Sequence, residues 1–278
     1  MFSGLRLLLI GLHLTHGALQ AGLLFPLVGG NWRRRLTRAW SQQLLFLLGI
    51  RVESGGELAG VAGGLLVGNH VSFIDIFVIN AILPSAFVAK SDVRKWPLIG
   101  WLCRRSNTVF IERGSRKAAH QTHRQMLAAL ASGQRLAIFP EGTTTAGDRV
   151  LPFHAALFQS AIDAAVPVHA LALSYRGSDG APSAAPAYID EISLIDCLVS
   201  VLEARGLVAR VELAASYAPP HADRRHLAHC AHQAVAAALS SDPDVTPVSK
   251  RGTDPRNRGV SRLQDHEQPL RNEVAIRQ

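Results

Sequence analysis

From Leu65 to Leu239 short apolar runs alternate with longer stretches of helical spacing, which narrows the possible folds more than any other feature of the chain. The runs Leu65–Val67, Ala86–Ala89, Thr108–Ile111, Leu136–Phe139, Val166–Leu173 and Arg210–Leu213 read as strands. Between them lie Phe73–Leu83, Asp92–Cys103, Ser115–Ala131, Phe153–Ala164, Ser193–Arg205 and Arg224–Leu239. Their apolar residues recur at three and four positions, which predicts helices. Parallel strands need a crossover that a helix supplies, so the expected fold class is α/β: a mixed, partly parallel sheet flanked by helices. The helix at Ser115–Ala131 is expected to bury Ala119, Met126, Leu127 and Leu130 under a solvated face carrying His120 and His123. No internal repeat is present.

Hydrophobic residues make up 48% of the 278 and charged ones 18%, enough for a sizeable core. The net charge of +8 matters less than its location. Residues 1–50 hold Arg6, Arg33, Arg34, Arg35 and Arg38 and no acid, whereas the tail 241–278 is nearly balanced. Basic charge beside the most apolar part of a chain suits an anionic membrane surface. Nucleic acid is not an expected partner, since no recognised module or aromatic-basic platform is present. Cys103, Cys197 and Cys230 are odd in number and lack CxxC spacing, which argues for a reducing compartment and against a disulfide framework.

The amino-terminal segment has three readings. Leu5 to Val28 is largely Leu, Gly, Ala and Ile, interrupted by His13, Thr15, His16 and Gln20. A cleaved signal peptide wants a cleaner apolar run and a better cleavage context than Gly17–Ala21 offers. A spanning helix is long enough but polar for one. The preferred reading is an interfacial hairpin: Leu5 to Leu27, a basic turn at Trp32–Arg35, and a second apolar helix from Ala39 to Ile50. With the alternation that follows it, this reading predicts a membrane-anchoring segment at 1–50, an α/β domain at 51–240 and a disordered tail at 241–278, where periodicity stops. If the first segment spans, the arginines after it put the main body in the cytoplasm.

Chemistry concentrates in Asn69-His70-Val71-Ser72-Phe73-Ile74-Asp75. A histidine and a carboxylate can form a base and its orienter. On one helix, five residues of about 100° each would leave the two side chains roughly 140° apart. They meet only if His70 lies in the loop after a strand and Asp75 in the first turn of the next helix. Taken alone, the pair also reads as a strand-end histidine and a helix cap. Phe110-Ile111-Glu112-Arg113-Gly114-Ser115-Arg116 ends a strand with cations around a helix start. That pattern is either a phosphate site or a charge cluster with Ser115 as N-cap. Phe139-Pro140-Glu141-Gly142-Thr143-Thr144-Thr145 follows another strand, with proline and glycine bracketing a glutamate. Val166-Pro167-Val168-His169-Ala170 opens a strand expected to line the pocket floor. His226, His229, Cys230 and His232 resemble a zinc set, but on a helix His226 and His232 lie about 120° apart, and an ordinary amphipathic helix is the better reading.

Together these stretches resemble the glycerolipid acyltransferase family that includes 1-acylglycerol-3-phosphate acyltransferases. Asn69, His70 and Asp75 match its NHxxxxD motif. Phe110, Ile111, Arg113, Gly114 and Ser115 match FIxR followed by Gly-Ser, and Phe139 to Thr143 match FPEGT. Lys90-Ser91-Asp92 and Pro97-Leu98-Ile99-Gly100-Trp101 resemble the linking segment, while Ala170 departs from the proline of the fourth motif. The resemblance covers about residues 60–220. It implies that His70 acts as general base on a lysolipid hydroxyl, with Asp75 holding the imidazole. The acyl group would come from the thioester of acyl-CoA or acyl carrier protein. No protein nucleophile is needed and no GxSxG elbow occurs. The resemblance further implies that Arg113, with Gly114 and Ser115, holds the acceptor's phosphate, helped by Lys90. Glu141, Gly142 and Thr143 would complete the substrate site, and backbone N–H groups near Gly142 and Thr143, or Asn69, would stabilise the oxyanion. No metal or cofactor is implied. The expected product is phosphatidic acid at the cytoplasmic membrane; a lyso-ornithine lipid or another lysophospholipid is the rival acceptor, and an inactive lipid-binding protein is the more distant alternative.

Overall fold

The computed structural model describes residues 2–55, 58–95, 97–111, 115–189 and 191–241. It opens with a helical hairpin, α1 (Phe2–Leu19) continuing through a π-turn at Gln20–Leu24, then α2 (Gly30–Leu48). Strand β1 (Ile50–Gly55) follows, then β2 (Gly64–Gly68), α3 (Asp75–Ile82), β3 (Ala86–Lys90), α4 (Pro97–Arg105) and β4 (Val109–Ile111). The chain continues with α5 (Arg116–Ala131), β5 (Arg135–Ile138), α6 (Gln159–Asp163), β6 (Val168–Arg176), α7 (Leu194–Ala204), β7 (Leu207–Tyr217) and α8 (Arg224–Ser240).

These seven strands form one sheet in the order β1-β7-β6-β2-β5-β3-β4. Every neighbouring pair is parallel except β6 and β7, so the sheet is mixed, as expected. Side chains alternate between two cores, because successive residues of a strand face opposite sides. Leu66, Leu171, Leu173, Leu207 and Val211 face α2, α3 and α7. Leu65, Val67, Val168, Ala170 and Leu136 face α5, α6 and α8. Helices on both faces of a largely parallel sheet bury its strands on two sides, which is why β2 is buried at every position.

Several expectations need correction. Ile50 does not end a helix; it starts β1, whose polar residues Arg51, Glu53 and Ser54 hid it. In α5 the buried stripe is Ala118, Thr122, Met126 and Leu130, one residue every four, and Ala119 is exposed. Trp32 to Arg35 lie inside α2 and not in the turn, which spans Phe25 to Gly29. Arg33 reaches back to the Val28 carbonyl at 3.0 Å and ties the turn to the helix start.

The hairpin is locked at one crossing. The Trp40 indole stacks on the His13 ring with centroids 4.9 Å apart. Trp40 Nε1 donates to the His13 carbonyl at 3.1 Å, and His13 Nε2 bonds the Trp40 carbonyl at 3.0 Å. A Cβ at Gly17 would lie 2.4 Å from the indole nitrogen, so only glycine lets the helices come this close. Leu44, Leu45 and Leu48 of α2 sit in the core beside α3. The second half of the expected anchor is therefore built into the domain. By contrast Leu5, Leu8, Leu12, Leu19, Leu23 and Leu27 of the first half are exposed. Gly4–Leu24 is long and apolar enough to cross a membrane by length and composition. The tail expected at 241–278 lies outside the described residues apart from Ser241.

Candidate active site

His70 lies in the loop after β2, and Asp75 is the first residue of α3. His70 Nδ1 is 2.8 Å from Asp75 Oδ2, so the strand–loop–helix arrangement joins two side chains that a single helix would splay. Asp75 is fully buried, and four donors converge on it. Oδ2 accepts from His70 Nδ1, from Val71 N–H at 2.8 Å and from Ser72 N–H at 2.9 Å. Oδ1 accepts from the Tyr175 hydroxyl at 2.6 Å. With three N–H groups on Oδ2, the network assigns the imidazole proton to Nδ1 and leaves Nε2 as an acceptor. One face of the ring is covered by Phe139, stacked at 4.0 Å between centroids. The side chain stays 20% accessible, and Nε2 makes no hydrogen bond among the described residues.

Tyr175 stands on β6, one hundred positions from Asp75 in sequence, and the sequence reading missed it. Burial first, and then the adjacent Asp75 charge, push its phenol well above the usual tyrosine range. The group therefore remains an O–H donor, and a carboxylate hidden from water needs one.

Asn69 requires a correction. Its side chain is fully buried, with Nδ2 donating to the Leu173 carbonyl at 2.9 Å and Oδ1 accepting from Leu173 N–H at 2.8 Å. The amide continues the β2–β6 pairing beyond Gly68 and is hidden from solvent, the place of a structural amide and not of an exposed oxyanion donor. It acts as a clamp on the loop that carries His70.

The loop after β5 holds that loop from the other side. Glu141 Oε1 accepts from His70 N–H and Oε2 from Leu151 N–H, both at 2.7 Å. Thr145 N–H donates to the His70 carbonyl at 2.8 Å, so both backbone groups of the base are taken by this one segment. Burial raises the Glu141 carboxyl above the ordinary glutamate value, partly offset by the two backbone donors. Glu141 is only 5% exposed and spends one acceptor position of each oxygen on the backbone, so its place is under the loop of the base and not at an open substrate surface. It braces the base. Gly142 adopts φ +74°, and its N–H closes a turn on the Phe139 carbonyl at 3.2 Å, which removes it as an oxyanion donor. Thr143 is exposed next to it.

Lys90 ends β3, exposed and level with Ile111 of β4. Ser115 is the N-cap of α5, its hydroxyl accepting from Ala118 N–H at 3.1 Å. Arg113 and Gly114, expected to hold phosphate, lie outside the described residues. Register carries Lys90 to the same sheet end as His70: Phe87 pairs with Ala137 and Ala137 with Leu66, which puts Ala89 level with Phe139 and Gly68. His169 is at the other end. It pairs with Leu66 and bonds the Gly63 carbonyl at 3.1 Å and Ser216 Oγ at 2.8 Å, so the Val166–Ala170 segment does not line a pocket floor beside His70.

Among the described residues no group of three or more His, Cys, Asp or Glu side chains could hold a metal ion. On α8, His226 Nε2 contacts Cys230 Sγ at 3.5 Å, while His232 turns to the Val150 carbonyl at 3.2 Å. The chemistry available is proton abstraction at Nε2, with the resulting imidazolium held by a buried carboxylate.

Comparison with known proteins gives the same direction. Residues 50–174 match the Acyltransferase family. A 1-acyl-sn-glycerol-3-phosphate acyltransferase of Neisseria gonorrhoeae is 36% identical over 77% of this chain and 84% of its own length. A lyso-ornithine lipid O-acyltransferase of Pseudomonas aeruginosa is 39% identical over 74% of this chain and 79% of its own. The crystal structure of the 1-acyl-sn-glycerophosphate acyltransferase PlsC from Thermotoga maritima superposes with a TM-score of 0.60 at 20% identity. It covers 85% of this chain and 96% of that one, a shared fold. A strand–loop–helix His–Asp pair on this sheet, matched over most of the chain to such relatives, shows that the chain belongs to the glycerolipid acyltransferase family and is an O-acyltransferase.

Proposed function

We propose that the chain transfers an acyl group from a thioester donor to the free hydroxyl of a lysolipid, with 1-acylglycerol-3-phosphate as acceptor and phosphatidic acid as product. The observation that carries this reading is the His70–Asp75 contact at 2.8 Å, with Nε2 making no hydrogen bond among the described residues on a side chain that is 20% accessible. His70 takes the hydroxyl proton, the alkoxide attacks the thioester carbonyl, and the thiolate leaves with the proton returned from His70. Asp75 holds the imidazole and stabilises its charged form. Thr143 N–H, which makes no hydrogen bond among the described residues, is the remaining candidate of its pair for the oxyanion. Arg113 and Lys90 are assigned to the acceptor's phosphate, since guanidinium forks and ammonium groups bind it by charge and geometry.

A lyso-ornithine lipid is the second reading, favoured by the resemblance to the Pseudomonas enzyme. That acceptor has no phosphate, so the two readings separate on Arg113. The exposed leucines of α1 and the arginines of α2 support docking on the cytoplasmic leaflet, from which a lysolipid enters without crossing water. The test is an assay of purified protein in detergent with a panel of lysolipids and both donors, beside His70→Ala and Arg113→Ala. Losing the base should lower the rate about 10²- to 10⁴-fold. Arg113→Ala should raise KM for the phosphate-bearing acceptor and not for the donor. Near-normal turnover of His70→Ala removes the mechanism. Unchanged KM in Arg113→Ala removes the phosphate assignment.

A further inference from the structure

A cleft of about 220 Å³ opens at the β4 edge of the sheet, lined by Arg94, Arg104, Thr108, Phe110, Gln121 and Gln125. Nothing in the mechanism above uses it. The Arg94 guanidinium lies over the Phe110 ring, 5.9 Å from its centroid, and Arg104 reaches the Arg94 carbonyl at 3.4 Å. Neither guanidinium meets a carboxylate among the described residues. Two arginines with no carboxylate partner among the described residues, beside amide and hydroxyl side chains, form a site for an anion that also accepts neutral hydrogen bonds.

Its position relative to His70 can be measured along the sheet. Phe110 pairs with Ala89 and so is level with Phe139 and Gly68, while Thr108 is level with Leu66, so the cleft runs from the middle of the sheet toward the end that carries His70. From β2 the order runs β5, β3, β4, three strand spacings of about 4.8 Å, or roughly 14 Å across. An extended phosphopantetheine arm has 13 bonds from sulfur to phosphorus, roughly 15 Å at the 3.3–3.6 Å that three backbone bonds span.

We propose that this cleft takes the phosphate of the phosphopantetheine arm of the acyl donor, with Arg94 and Arg104 as its binding residues and the arm running along the ends of β3 and β5 to deliver the thioester at His70. The group is common to coenzyme A and acyl carrier protein. The proposal rests on the acyl-transfer reading, and it is tested first by binding, which needs no turnover. Calorimetry on the full-length protein in detergent compares coenzyme A, 4′-phosphopantetheine and pantetheine against wild type and the Arg94→Gln/Arg104→Gln double variant. Wild type should bind the two phosphate-bearing probes at least about tenfold more tightly than pantetheine, and the variant should lose that preference. A variant that keeps the preference overturns the proposal. In turnover, KM for acyl-CoA and for acyl carrier protein should both rise while KM for the lysolipid holds. A rise for acyl-CoA alone would move the cleft's ligand to the nucleotide phosphates, and a rise for the lysolipid alone would make it an acceptor site; either overturns the proposal. A protein that binds coenzyme A through the two arginines but transfers no acyl group would remove the reaction and leave the cleft.

Discussion

Asp75→Asn separates what the buried carboxylate contributes by charge from what it contributes by geometry. An asparagine has one oxygen where the carboxylate has two, and the surroundings choose its orientation. Val71 N–H and Ser72 N–H both point at the Oδ2 position, so an NH₂ group there would face two donors. The amide oxygen takes that place, and the NH₂ turns to Tyr175, whose hydroxyl can rotate to accept. His70 then keeps its Nδ1–H donor and its tautomer, and only the charge is lost. A contact of 2.8 Å between Nδ1 and Oδ2 puts the charge centres about 4 Å apart, worth about 4 kcal/mol at an effective dielectric of 20. With imidazolium half to fully formed in the transition state, roughly 2–4 kcal/mol is forfeited, a fall in kcat of about 30- to 10³-fold. The assay is release of free thiol from acyl-CoA at saturating lysolipid, with the melting temperature as the check on folding. A loss below about tenfold would refute the electrostatic role. A loss beyond about 10⁴-fold in a folded variant would mean that the imidazole changed tautomer, as in the serine-protease aspartate-to-asparagine case, and that the backbone clamp does not dictate the amide's orientation.

Tyr175→Phe should leave one oxygen of a buried carboxylate without its donor, costing about 1.5–3 kcal/mol and lowering the melting temperature by roughly 3–12 °C, and calorimetry showing no change would refute the contact's weight. Glu141 titrates above its unfolded value when folded, so between those two pH values the native protein holds a proton that the unfolded chain has lost, and stability falls as pH rises through that window. Wild type should therefore lose melting temperature relative to Glu141→Gln as pH is raised from 4.5, on top of a constant offset from the amide's NH₂ facing one backbone N–H; a pH-independent difference would contradict the raised carboxyl. Changing Arg33, Arg34, Arg35 and Arg38 to Gln should weaken co-sedimentation with anionic vesicles more than with neutral ones, by about 1 kcal/mol per residue near the surface, and equal losses on both would place the anchoring charge elsewhere.

The base and its orienter were legible because they are local: a strand, a polar turn and a helix start determine where residues 70 and 75 point before any distant contact forms. The α/β class was legible for the same reason, since strand and helix periods are properties of single segments. The partners of the site residues were not. The resemblance offered Asn69 as an oxyanion donor and Glu141 as a substrate ligand, and nothing local shows that the bonds of the first run to Leu173 and those of the second to His70 and Leu151. Tyr175 carried no signal at all, lying two residues past the apolar run Val166–Leu173 until β6 is laid beside β2. Strand β1 escaped because an edge strand with exposed Arg51 and Glu53 has no continuous apolar run, and its pairing to β7 joins residues some 150 positions apart. Local sequence decides which residues can do the chemistry. Which neighbours saturate them, and so which oxygen, nitrogen or ring edge is left over for a substrate, is decided only when strands distant in the chain become adjacent, because a hydrogen-bonding group spent on one partner is withdrawn from another.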